Sequence, residues 1–429
     1  MLYRFAKILM TVGLRFFYRH IHVTGLNNIP AKGPAIIIAN HASSLMDAAL
    51  LGILLKRQAY FFARGDVFVN KPVQLILSWL HMMPVHNHLT GGRKTIGAND
   101  DSFALGQQIL SKGGIVVFFP ESTSHIERQI MSFRKGVFRL AFQTAEQINF
   151  ASEIPIIPIG ITYEHPFAGR TEVLVHAGRP LLLSSYKERF ETNKAATILR
   201  ISKDAYQSMT GLALHVENAD RLETTEHCLI ISRNNLHELH SSWKIKSGER
   251  LQHEQAVCEH INKLPENDFK QIEHEGRCYF TELEKYRFND KTIATSFSIP
   301  FWKKIIWGAA YIFYLTGMFF NAFPIYIARQ LADKKVYRKD FYSWIFVSCY
   351  SVLYFAWIVM LLLISIFFGW PYTICLLVVI IPAGLFAYYY TGWLKAADQQ
   401  KKLNTLPAET VARLKSMRNN IIASIGNIF

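Results

Sequence analysis

A long run without any Asp, Glu, Lys or Arg extends from Phe341 to Leu394, near the end of this chain. A bilayer core is crossed by about 20 helical residues, so the run is long enough for two spans. A Gly-Trp-Pro sequence at 369–371 interrupts it and predicts a turn between two helices. We therefore expect a C-terminal transmembrane helical hairpin, with spans at about 343–368 and 372–393.

Basic residues stand at both ends of this hairpin. They are Lys334, Lys335, Arg338 and Lys339 before it and Lys395, Lys401 and Lys402 after it. Basic flanks collect on the cytoplasmic side of a membrane. Both ends of the hairpin are therefore expected in the cytoplasm, where residues 395–429 form a tail.

A third apolar stretch, 305–328, is also long enough to span, but it contains Asn321 and Pro324. If it crossed the bilayer, the basic loop 334–339 would lie on the opposite side from the N-terminal region, against the positive-inside tendency. We therefore favour a re-entrant or interfacial helix pair here, with a third span as the alternative. The membrane region as a whole is expected to cover 300–394.

Charge and cysteine content exclude two kinds of partner. Residues 1–183 carry 18 basic and 10 acidic side chains, residues 184–299 carry 16 and 18, and residues 300–429 carry 13 and 4. The basic excess thus lies in the parts expected at the membrane. The chain has no compact Lys/Arg run and no zinc-finger spacing, so nucleic acid is not expected as a partner. Five scattered cysteines without a CxxC pair predict reduced thiols and no structural metal site.

Residues 1–20 predict an amphipathic helix associated with the membrane. Basic residues interrupt its apolar residues, so it is not a cleavable signal peptide. Its apolar residues on one side are Leu2, Phe5, Ile8, Leu9, Val12, Phe16 and Phe17. This pattern suits a helix that lies on a bilayer and equally a helix that packs on its own domain.

Residues 21–183 have the pattern of an α/β domain, in which helices flank a sheet. Short runs rich in β-branched and aromatic residues alternate with helical stretches. The runs are Ala35–Ala39, Tyr60–Ala63, Ile115–Phe119, Ile154–Thr162 and Glu172–His176. Because they are apolar almost throughout, we expect a sheet covered on both faces. Residues 184–299 follow as a mostly helical, charged region whose role the sequence does not predict.

His41 and Asp47 follow the first of these strands. A histidine at a strand-to-helix turn, with a carboxylate one or two turns later, is a candidate general base with its orienting partner. Imidazole has a pKa of about 6.5, so it can take a hydroxyl proton at neutral pH, and the carboxylate fixes its tautomer. The alternative is a helix start capped by Ser43 or Ser44, with Asp47 favoured by the helix dipole.

Two further stretches place polar or charged residues after strands. Arg64 and Gly65 put a cation beside a flexible glycine, which suits a bound phosphate or a solvated turn. Glu121 and Ser122 end the strand 115–119, and Lys135 precedes the next helix. Glu121 is a candidate acceptor for a polyol, and Lys135 with backbone N–H groups is a candidate anion site; an ordinary capped loop is the alternative.

A fourth stretch, Ile154–Ile161, contains Pro155 and Pro158 and predicts a buried strand. Proline cannot donate to a ladder, so these residues confine the strand to an edge or a bulge. Alone, this stretch indicates packing rather than a functional site.

In this order, the four stretches resemble four consecutive blocks of the glycerolipid acyltransferase family, the PlsC-like glycerol-3-phosphate and 1-acylglycerol-3-phosphate acyltransferases. The stretch from His41 to Asp47 is similar to the block with the family's catalytic His and Asp. Arg64-Gly65 resembles the glycerophosphate-binding block, 119–122 the Phe-Pro-Glu-Gly block, and 154–161 the proline-containing strand. The resemblance covers about residues 20–180.

Two features depart from the family pattern. The commonest family spacing has four residues between His and Asp, whereas five separate His41 from Asp47. Ser122 stands where the family has glycine, and Ser124-His125 stands where arginine follows. These changes concern the acceptor more than the reaction.

The resemblance implies an integral membrane acyltransferase in phospholipid biosynthesis. It would transfer a fatty acyl group from acyl-CoA or acyl-carrier protein to glycerol-3-phosphate or 1-acylglycerol-3-phosphate, with its catalytic domain on the cytoplasmic face. The implied catalytic residues are His41 and Asp47, and the implied substrate-binding residues are Arg64, Gly65, Glu121, Ser122 and Lys135. The implied partners are membrane lipids and the acyl donor, without a metal or redox cofactor.

Other interpretations stay open at this point. The acceptor can be another lysolipid. A serine hydrolase would use Ser43, Ser44 or Ser122, but none of these lies in a Gly-x-Ser-x-Gly elbow. A non-catalytic membrane scaffold or lipid-binding protein is the third alternative, and the presence of His41, Asp47 and Glu121 together argues against it.

Overall fold

The computed structural model describes residues 2–68, 70–85, 94–239, 247–295, 301–335, 341–375, 378–379 and 381–426. The chain divides into two compact units. Unit 1 comprises Met1–His215 and Val336–Ser348, and unit 2 comprises Val216–Lys335 and Cys349–Phe429. The predicted α/β region, 21–183, lies entirely within unit 1.

Unit 1 is built on a mixed sheet. Its described strands are β1 (His20–Thr24), β2 (Ala35–Ala39), β3 (Ala59–Arg64), β4 (Met82–Val85), β5 (Ile115–Phe118), β6 (Ile156–Tyr163) and β7 (Glu172–Ala177). Their order across the sheet is β1-β7-β6-β2-β5-β3-β4. Neighbouring strands are parallel except β6 and β7, which are antiparallel.

Helices cover both faces of this sheet. They are α1 (Leu2–Phe17), α2 (Leu45–Leu54), α3 (Lys71–Trp79), α4 (Lys94–Ser111), α5 (Gly136–Gln147), α6 (Lys187–Thr192) and α7 (Lys194–Thr210). Side chains alternate along a strand. Accordingly, Ala35, Ile37 and Ala39 of β2 pack with α1 and α2, whereas Ile36 and Ile38 pack with α5 and α7. The expected sheet flanked by helices is thus confirmed.

The two strands that the sequence pattern missed lie at the edges of the sheet. None of the residues of β1 is fully buried, and two of its five residues are histidines. β4 has four residues, of which only one is buried. Edge strands need less apolar surface than central strands, so their sequences give a weaker signal.

β6 lies in the interior of the sheet despite its proline. It pairs with β2 on one side and β7 on the other, so the edge position expected for this stretch is not observed. Ile159 pairs with Ala177, whereas Ile156 pairs with Leu181, so the register shifts by one residue around Pro158. The prolines predicted either an edge strand or a bulge, and the bulge is observed. Pro158, which has no N–H to donate, lies where the ladder is interrupted.

The N-terminal helix α1 has two different ends. Leu14 and Phe17, near its C-terminus, are buried in the core of unit 1. Phe5, Ile8 and Val12 are 45%, 65% and 47% exposed. The C-terminal end of the helix therefore packs on its own domain and the other end presents apolar surface, and its association with a membrane stays a prediction.

Unit 2 is helical in its described part. Its helices are α8 (Leu222–Leu239), α9 (Ser247–Lys263), α10 (Glu266–Tyr286), α11 (Asp290–Ala294), α12 (Phe301–Lys335), most of α13 (Tyr342–Phe368), α14 (Trp370–Cys375), α15 (Ile381–Thr405) and α16 (Ala408–Ile425). Arg418 of α16 forms a buried ion pair with Asp290, with Nε 2.9 Å from Oδ1. The segment predicted as a tail, 395–429, therefore packs in part as a component of this helical body.

Among the described residues, two helices are long and apolar enough to cross a membrane. The segments are Ile305–Lys334 in α12 and Tyr342–Phe368, which is α13. α13 coincides with the predicted span 343–368. The predicted span 372–393 is described only in part, because residues 376, 377 and 380 lie outside the described residues. The number of spans stays a prediction.

α12 is one continuous helix, so the helix pair expected around Asn321 and Pro324 is not observed. Proline at 324 leaves the Phe320 carbonyl without its helical N–H donor. Trp357 Nε1 of α13 donates to that carbonyl at 2.7 Å. Asn321 Nδ2 donates to the Gly317 carbonyl at 2.9 Å within the helix. The polar groups that suggested a break are thus satisfied without one.

Candidate active site

His41 and Asp47 meet at the carboxyl end of β2. The strand ends at Ala39 and α2 begins at Leu45, so the two residues flank the connecting turn. His41 Nδ1 lies 2.9 Å from Asp47 Oδ2. Because an ionised carboxylate can only accept, this contact assigns the ring proton to Nδ1. Nε2 then carries a lone pair, as a general base requires.

Asp47 is held by three donors although it is fully buried. Besides His41, Ser43 N donates to Oδ2 at 2.8 Å and Tyr163 Oη donates to Oδ1 at 2.6 Å. Burial, followed by the charge of Asp47, raises the pKa of Tyr163 well above its usual value, so the hydroxyl keeps its proton. A buried carboxylate with this many donors is compensated, and it fixes the orientation of the imidazole.

Ser44 shapes the turn that brings the pair together across five intervening residues. Its backbone has φ 49° and ψ −130°, a conformation that is unfavourable for a residue with a side chain. The helix then begins at Leu45, with Asp47 in its first turn. The longer spacing is therefore accommodated by a local backbone reversal, and the carboxylate still reaches His41.

Side chains on both sides fix the backbone of His41. Asn40 Nδ2 donates to the Ile161 carbonyl at 2.9 Å, and Asn40 Oδ1 accepts from Ile161 N at 2.6 Å. His41 N donates to Glu121 Oε1 at 3.1 Å, and the His41 carbonyl accepts from His125 N at 3.1 Å. The backbone of the candidate base is thereby tied to β6 and to the loop after β5.

Glu121 has its carboxylate directed into the protein. It is buried, and besides His41 N it accepts from Met131 N at 3.1 Å and from His125 Nε2. Phe119, two residues earlier, stacks on the His41 ring with centroids 4.2 Å apart. These contacts arrange the loop around His41. A hydrogen bond from Glu121 to a substrate polyol stays a prediction.

His125 lies between two carboxylates. Burial lowers its pKa, but the hydrogen bond and charge of Glu121 and the charge of Glu127 outweigh burial, so the pKa is raised above its ordinary value. The ring is half-buried beside the loop that holds His41. This histidine therefore supplies a partial positive charge near the position where the resembling family has arginine.

Ser122 is exposed and has φ 65°, in the left-handed region. Glycine adopts this conformation without the steric cost that a Cβ brings. This backbone conformation explains why glycine suits the equivalent position in the family that the sequence resembles. Ser122 adopts the same conformation at a cost in strain.

The predicted cations stand at the same edge of the sheet as His41. Arg64 is the last residue of β3, and Gly65 begins the short 3₁₀ turn that follows. Lys135 is exposed and immediately precedes α5. Since β2, β5 and β3 are neighbouring parallel strands, their carboxyl ends meet at one edge, which is where α/β folds bind ligands.

Two of the serines considered as nucleophiles are inaccessible. Ser43 is fully buried, and its hydroxyl has no hydrogen-bond partner in the described part of the chain. Ser44 is 4% exposed. A buried hydroxyl without a base cannot attack a bound ester, so the geometry favours His41 as a base acting on an external hydroxyl.

Tyr163 and Asn40 were not assigned roles from the sequence. Tyr163 lies 116 residues from Asp47 along the chain, and only the pairing of β6 with β2 brings them together. It lies two residues after the fourth stretch, at the end of β6. Asn40 stands directly before His41. Its side chain has both a donor and an acceptor, which was the available sign that it could hold the backbone there.

The region that holds this site matches known proteins. The sequence model of the family described as Acyltransferase matches residues 20–162. A chloroplastic 1-acyl-sn-glycerol-3-phosphate acyltransferase from Arabidopsis thaliana is 28% identical over 156 residues, 36% of this chain and 40% of that protein. A probable 1-acyl-sn-glycerol-3-phosphate acyltransferase from Mycoplasma pneumoniae is 27% identical over 161 residues, 37% of this chain and 56% of that protein.

Among solved structures, the chain is similar to the 1-acyl-sn-glycerophosphate acyltransferase PlsC from Thermotoga maritima. The TM-score is 0.34 and the identity 19%, over 47% of this chain and 78% of that chain. The chain spans about two fifths of the length of the Arabidopsis relative and just over half of the Mycoplasma relative.

Proposed function

We propose, from the match of residues 20–162 to the family model described as Acyltransferase, that this chain is a glycerolipid O-acyltransferase. The proposed acceptor is 1-acylglycerol-3-phosphate, because the matched relatives from Arabidopsis thaliana, Mycoplasma pneumoniae and Homo sapiens are named 1-acyl-sn-glycerol-3-phosphate acyltransferases. The proposed donor is acyl-CoA or acyl-carrier protein. Glycerol-3-phosphate and other lysolipids are the alternative acceptors.

The buried contact of His41 with Asp47 carries this proposal. Asp47 holds Nδ1 protonated, so Nε2 of His41 takes the proton of the acceptor hydroxyl. The hydroxyl oxygen then bonds to the thioester carbonyl carbon, and the C–S bond breaks. The leaving thiolate takes the proton back from His41. The step needs no covalent acyl-enzyme, and no metal or redox cofactor is proposed.

We assign binding of the acceptor phosphate to Arg64 and Lys135. Both are cations at the edge of the sheet where His41 lies, and both are exposed. A guanidinium can contact two phosphate oxygens at once, and an ammonium adds a point charge. Gly65 would let the backbone approach the ligand at this edge, and the exposed hydroxyl of Ser122 would offer it a hydrogen bond.

We further propose that the protein is integral to a membrane, with unit 1 on the cytoplasmic face. The support is the length and apolar composition of α12 and α13, together with the basic flanks in the sequence. A cysteine placed at Lys203 in unit 1, in a variant whose five native cysteines are replaced by serine, should react with an impermeant maleimide only after the cytoplasmic side is opened.

The reaction is tested with membranes that contain the full chain. Labelled acyl-CoA and acyl-carrier protein are each offered with glycerol-3-phosphate, 1-acylglycerol-3-phosphate or lysophosphatidylethanolamine. We expect diacylglycerol-3-phosphate as the main product and a loss of about 100-fold or more in His41→Ala. His274→Ala, an exposed histidine in unit 2, serves as the matched control and should keep its activity.

Two outcomes would contradict the proposal. Full activity in His41→Ala would remove the histidine from the reaction. No product from any acceptor, in an assay where a known family member is active, would favour a non-catalytic lipid-binding protein. Product from lysophosphatidylethanolamine alone would keep the reaction and replace the acceptor.

A further inference from the structure

We propose that unit 1 contains a second anion site, separate from the reaction site, that binds the phosphate of an anionic membrane phospholipid. The site is a cavity of about 510 Å³ lined by Tyr3, Arg4, Lys7, Lys56, Gln58 and His81. Tyr3, Arg4 and Lys7 come from α1, and Lys56, Gln58 and His81 come from the segments just before β3 and β4. Three elements distant in sequence thus contribute to one concave surface.

The cavity lies at the edge of the sheet opposite to the reaction site. Lys56 and Gln58 precede β3, whereas Arg64 ends it. His81 precedes β4, which is parallel to β3. The length of β3, about 20 Å, therefore separates the two groups of cations. A ligand in this cavity cannot be the acceptor that reaches His41.

The lining of the cavity is complementary to a negative charge. It carries three cations, and none of the six lining residues is acidic. Lys7 is half-buried with Nζ donating to the Leu55 carbonyl at 2.6 Å, which holds its charge at the cavity wall. Arg4 and Lys56 are exposed and can reach a ligand. Cations without acidic partners at a concave surface favour phosphate.

His81 contributes a neutral ring to the wall of the cavity. Gln58 Nε2 lies 2.9 Å from His81 Nε2, so with the amide as donor the ring proton is assigned to Nδ1. That Nδ1 is buried and has no partner within the described residues. Burial lowers the pKa of His81, so the ring is neutral and adds a dipole rather than a fourth charge. Tyr3 packs on the ring with centroids 4.7 Å apart.

Apolar surface beside the cavity identifies the source of the phosphate as a lipid. The α1 residues Phe5, Ile8 and Val12 are exposed on a face adjacent to that of Arg4 and Lys7. On α3, which ends two residues before His81, the exposed apolar residues are Leu75, Ile76 and Trp79. Apolar side chains next to cations match the boundary between lipid headgroups and acyl chains. A free phosphate would not need that surface.

The experiment uses the full chain purified in a non-ionic detergent. It is titrated with dihexanoyl-phosphatidylglycerol, with dihexanoyl-phosphatidylcholine and with inorganic phosphate. We expect tighter binding of phosphatidylglycerol than of the other two ligands. In Arg4→Gln/Lys56→Gln this affinity should fall about 30-fold, the factor that corresponds to about 1 kcal/mol for each basic group near anionic lipid. Both residues are exposed, so the melting temperature without lipid should be unchanged.

Two controls make the result specific. Lys203→Gln removes an exposed cation of α7 in the same unit and should bind like the wild type. Arg64→Gln/Lys135→Gln should also keep its affinity for phosphatidylglycerol, because those cations belong to the reaction site. Lys56→Glu, a single charge reversal, should abolish the preference for phosphatidylglycerol over phosphatidylcholine.

Three results would overturn the proposal. Wild-type affinity in Arg4→Gln/Lys56→Gln would show that the cavity does not bind the lipid. Loss of binding only in Arg64→Gln/Lys135→Gln would place the lipid in the reaction site. Equal affinity for inorganic phosphate and phosphatidylglycerol would replace the lipid by a free anion.

Discussion

The two parts of the candidate site are built in opposite ways. The proposed base rests on Asp47, a fully buried carboxylate whose two oxygens accept three hydrogen bonds. The proposed phosphate ligands, Arg64 and Lys135, are exposed side chains at the ends of a strand and a loop. Proton transfer needs fixed geometry, whereas a charged ligand can be met by flexible cations. The difference teaches that the fold fixes the geometry of proton transfer more strongly than it fixes which acceptor is bound.

Asp47→Asn is expected to give the largest effect on this comparison. It removes the charge that fixes the His41 tautomer and leaves a side chain of nearly the same size. kcat should fall by about 100- to 10,000-fold. Initial rates at saturating substrate measure it, and an intact melting transition verifies the fold. A kcat within about twofold of the wild type would mean that the buried part of the site is not the base.

Tyr163→Phe tests the buried part more gently. It removes one donor to the Asp47 carboxylate, and a hydrogen bond to a charged group contributes about 1.5 to 3 kcal/mol. We expect kcat to fall about tenfold or more with little change in KM. Tyr186→Phe is the matched control, since Tyr186 also donates to a carboxylate, Asp204, at 2.9 Å. Equal losses in the two variants would indicate a general effect on stability.

Arg64→Gln/Lys135→Gln tests the exposed part. Since these cations are solvated, we expect only about a fivefold to tenfold rise in KM for the phosphate-bearing acceptor, with kcat nearly unchanged. Rates against acceptor concentration measure it, with Lys203→Gln as the control. A fall in kcat without a change in KM would reverse the comparison, because it would make the cations part of the transition state.

His125 allows the loop between the two parts to be examined through pH. Its raised pKa means that the protonated ring stabilises the fold fully below the ordinary value of about 6.5, and that this contribution is lost as the pH rises through the folded-state value. The melting-temperature difference between the wild type and His125→Gln should therefore shrink from about pH 5.5 to about pH 8.5. His274→Gln is the control. A melting-temperature difference that does not change with pH would mean that the charge of His125 does not stabilise the fold.

Ser122→Gly should give the smallest effect. Its φ of 65° strains a residue with a Cβ, so glycine should raise the free energy of unfolding by about 1 kcal/mol. Chemical denaturation measures it. Thr123→Gly, next to it and without a positive φ, should be neutral or destabilising. Destabilisation by Ser122→Gly would indicate that the serine side chain holds the loop.

The sequence predicted those parts of the site that are local along the chain. His41 and Asp47 are six residues apart, and the apolar run before them identified β2 with its observed bounds. The contact of Tyr163 with Asp47 depends on the sheet order, which no local pattern contains. Glu121 was recognised as a polar residue after a strand, but its contacts with Met131 and His125 depend on how the loop folds back.

The same limit explains the continuous helix α12. The helix pair was favoured because of Asn321, Pro324 and the basic loop 334–339, and the sequence around Pro324 shows no donor for the Phe320 carbonyl. The donor, Trp357, lies 37 residues away on α13. Edge strands β1 and β4 were missed for a different reason, since half-exposed strands carry little apolar periodicity. Contacts between residues distant in sequence, and edge strands with little apolar periodicity, are thus the features that the residue pattern could not predict.

Asn40 has a consequence for engineering new acceptor preferences. Its side-chain amide hydrogen-bonds both the N–H and the carbonyl of Ile161, as a neighbouring strand would do in a sheet. Aspartate lacks the donor and glutamine is one methylene longer, so few replacements can keep both bonds. We expect a library that varies the exposed residues Ser122 and Thr123 to change the acceptor preference, whereas randomising position 40 would disturb the backbone of His41 and lower the activity. The residues suited to variation and the residue that must be kept thus lie on opposite sides of His41.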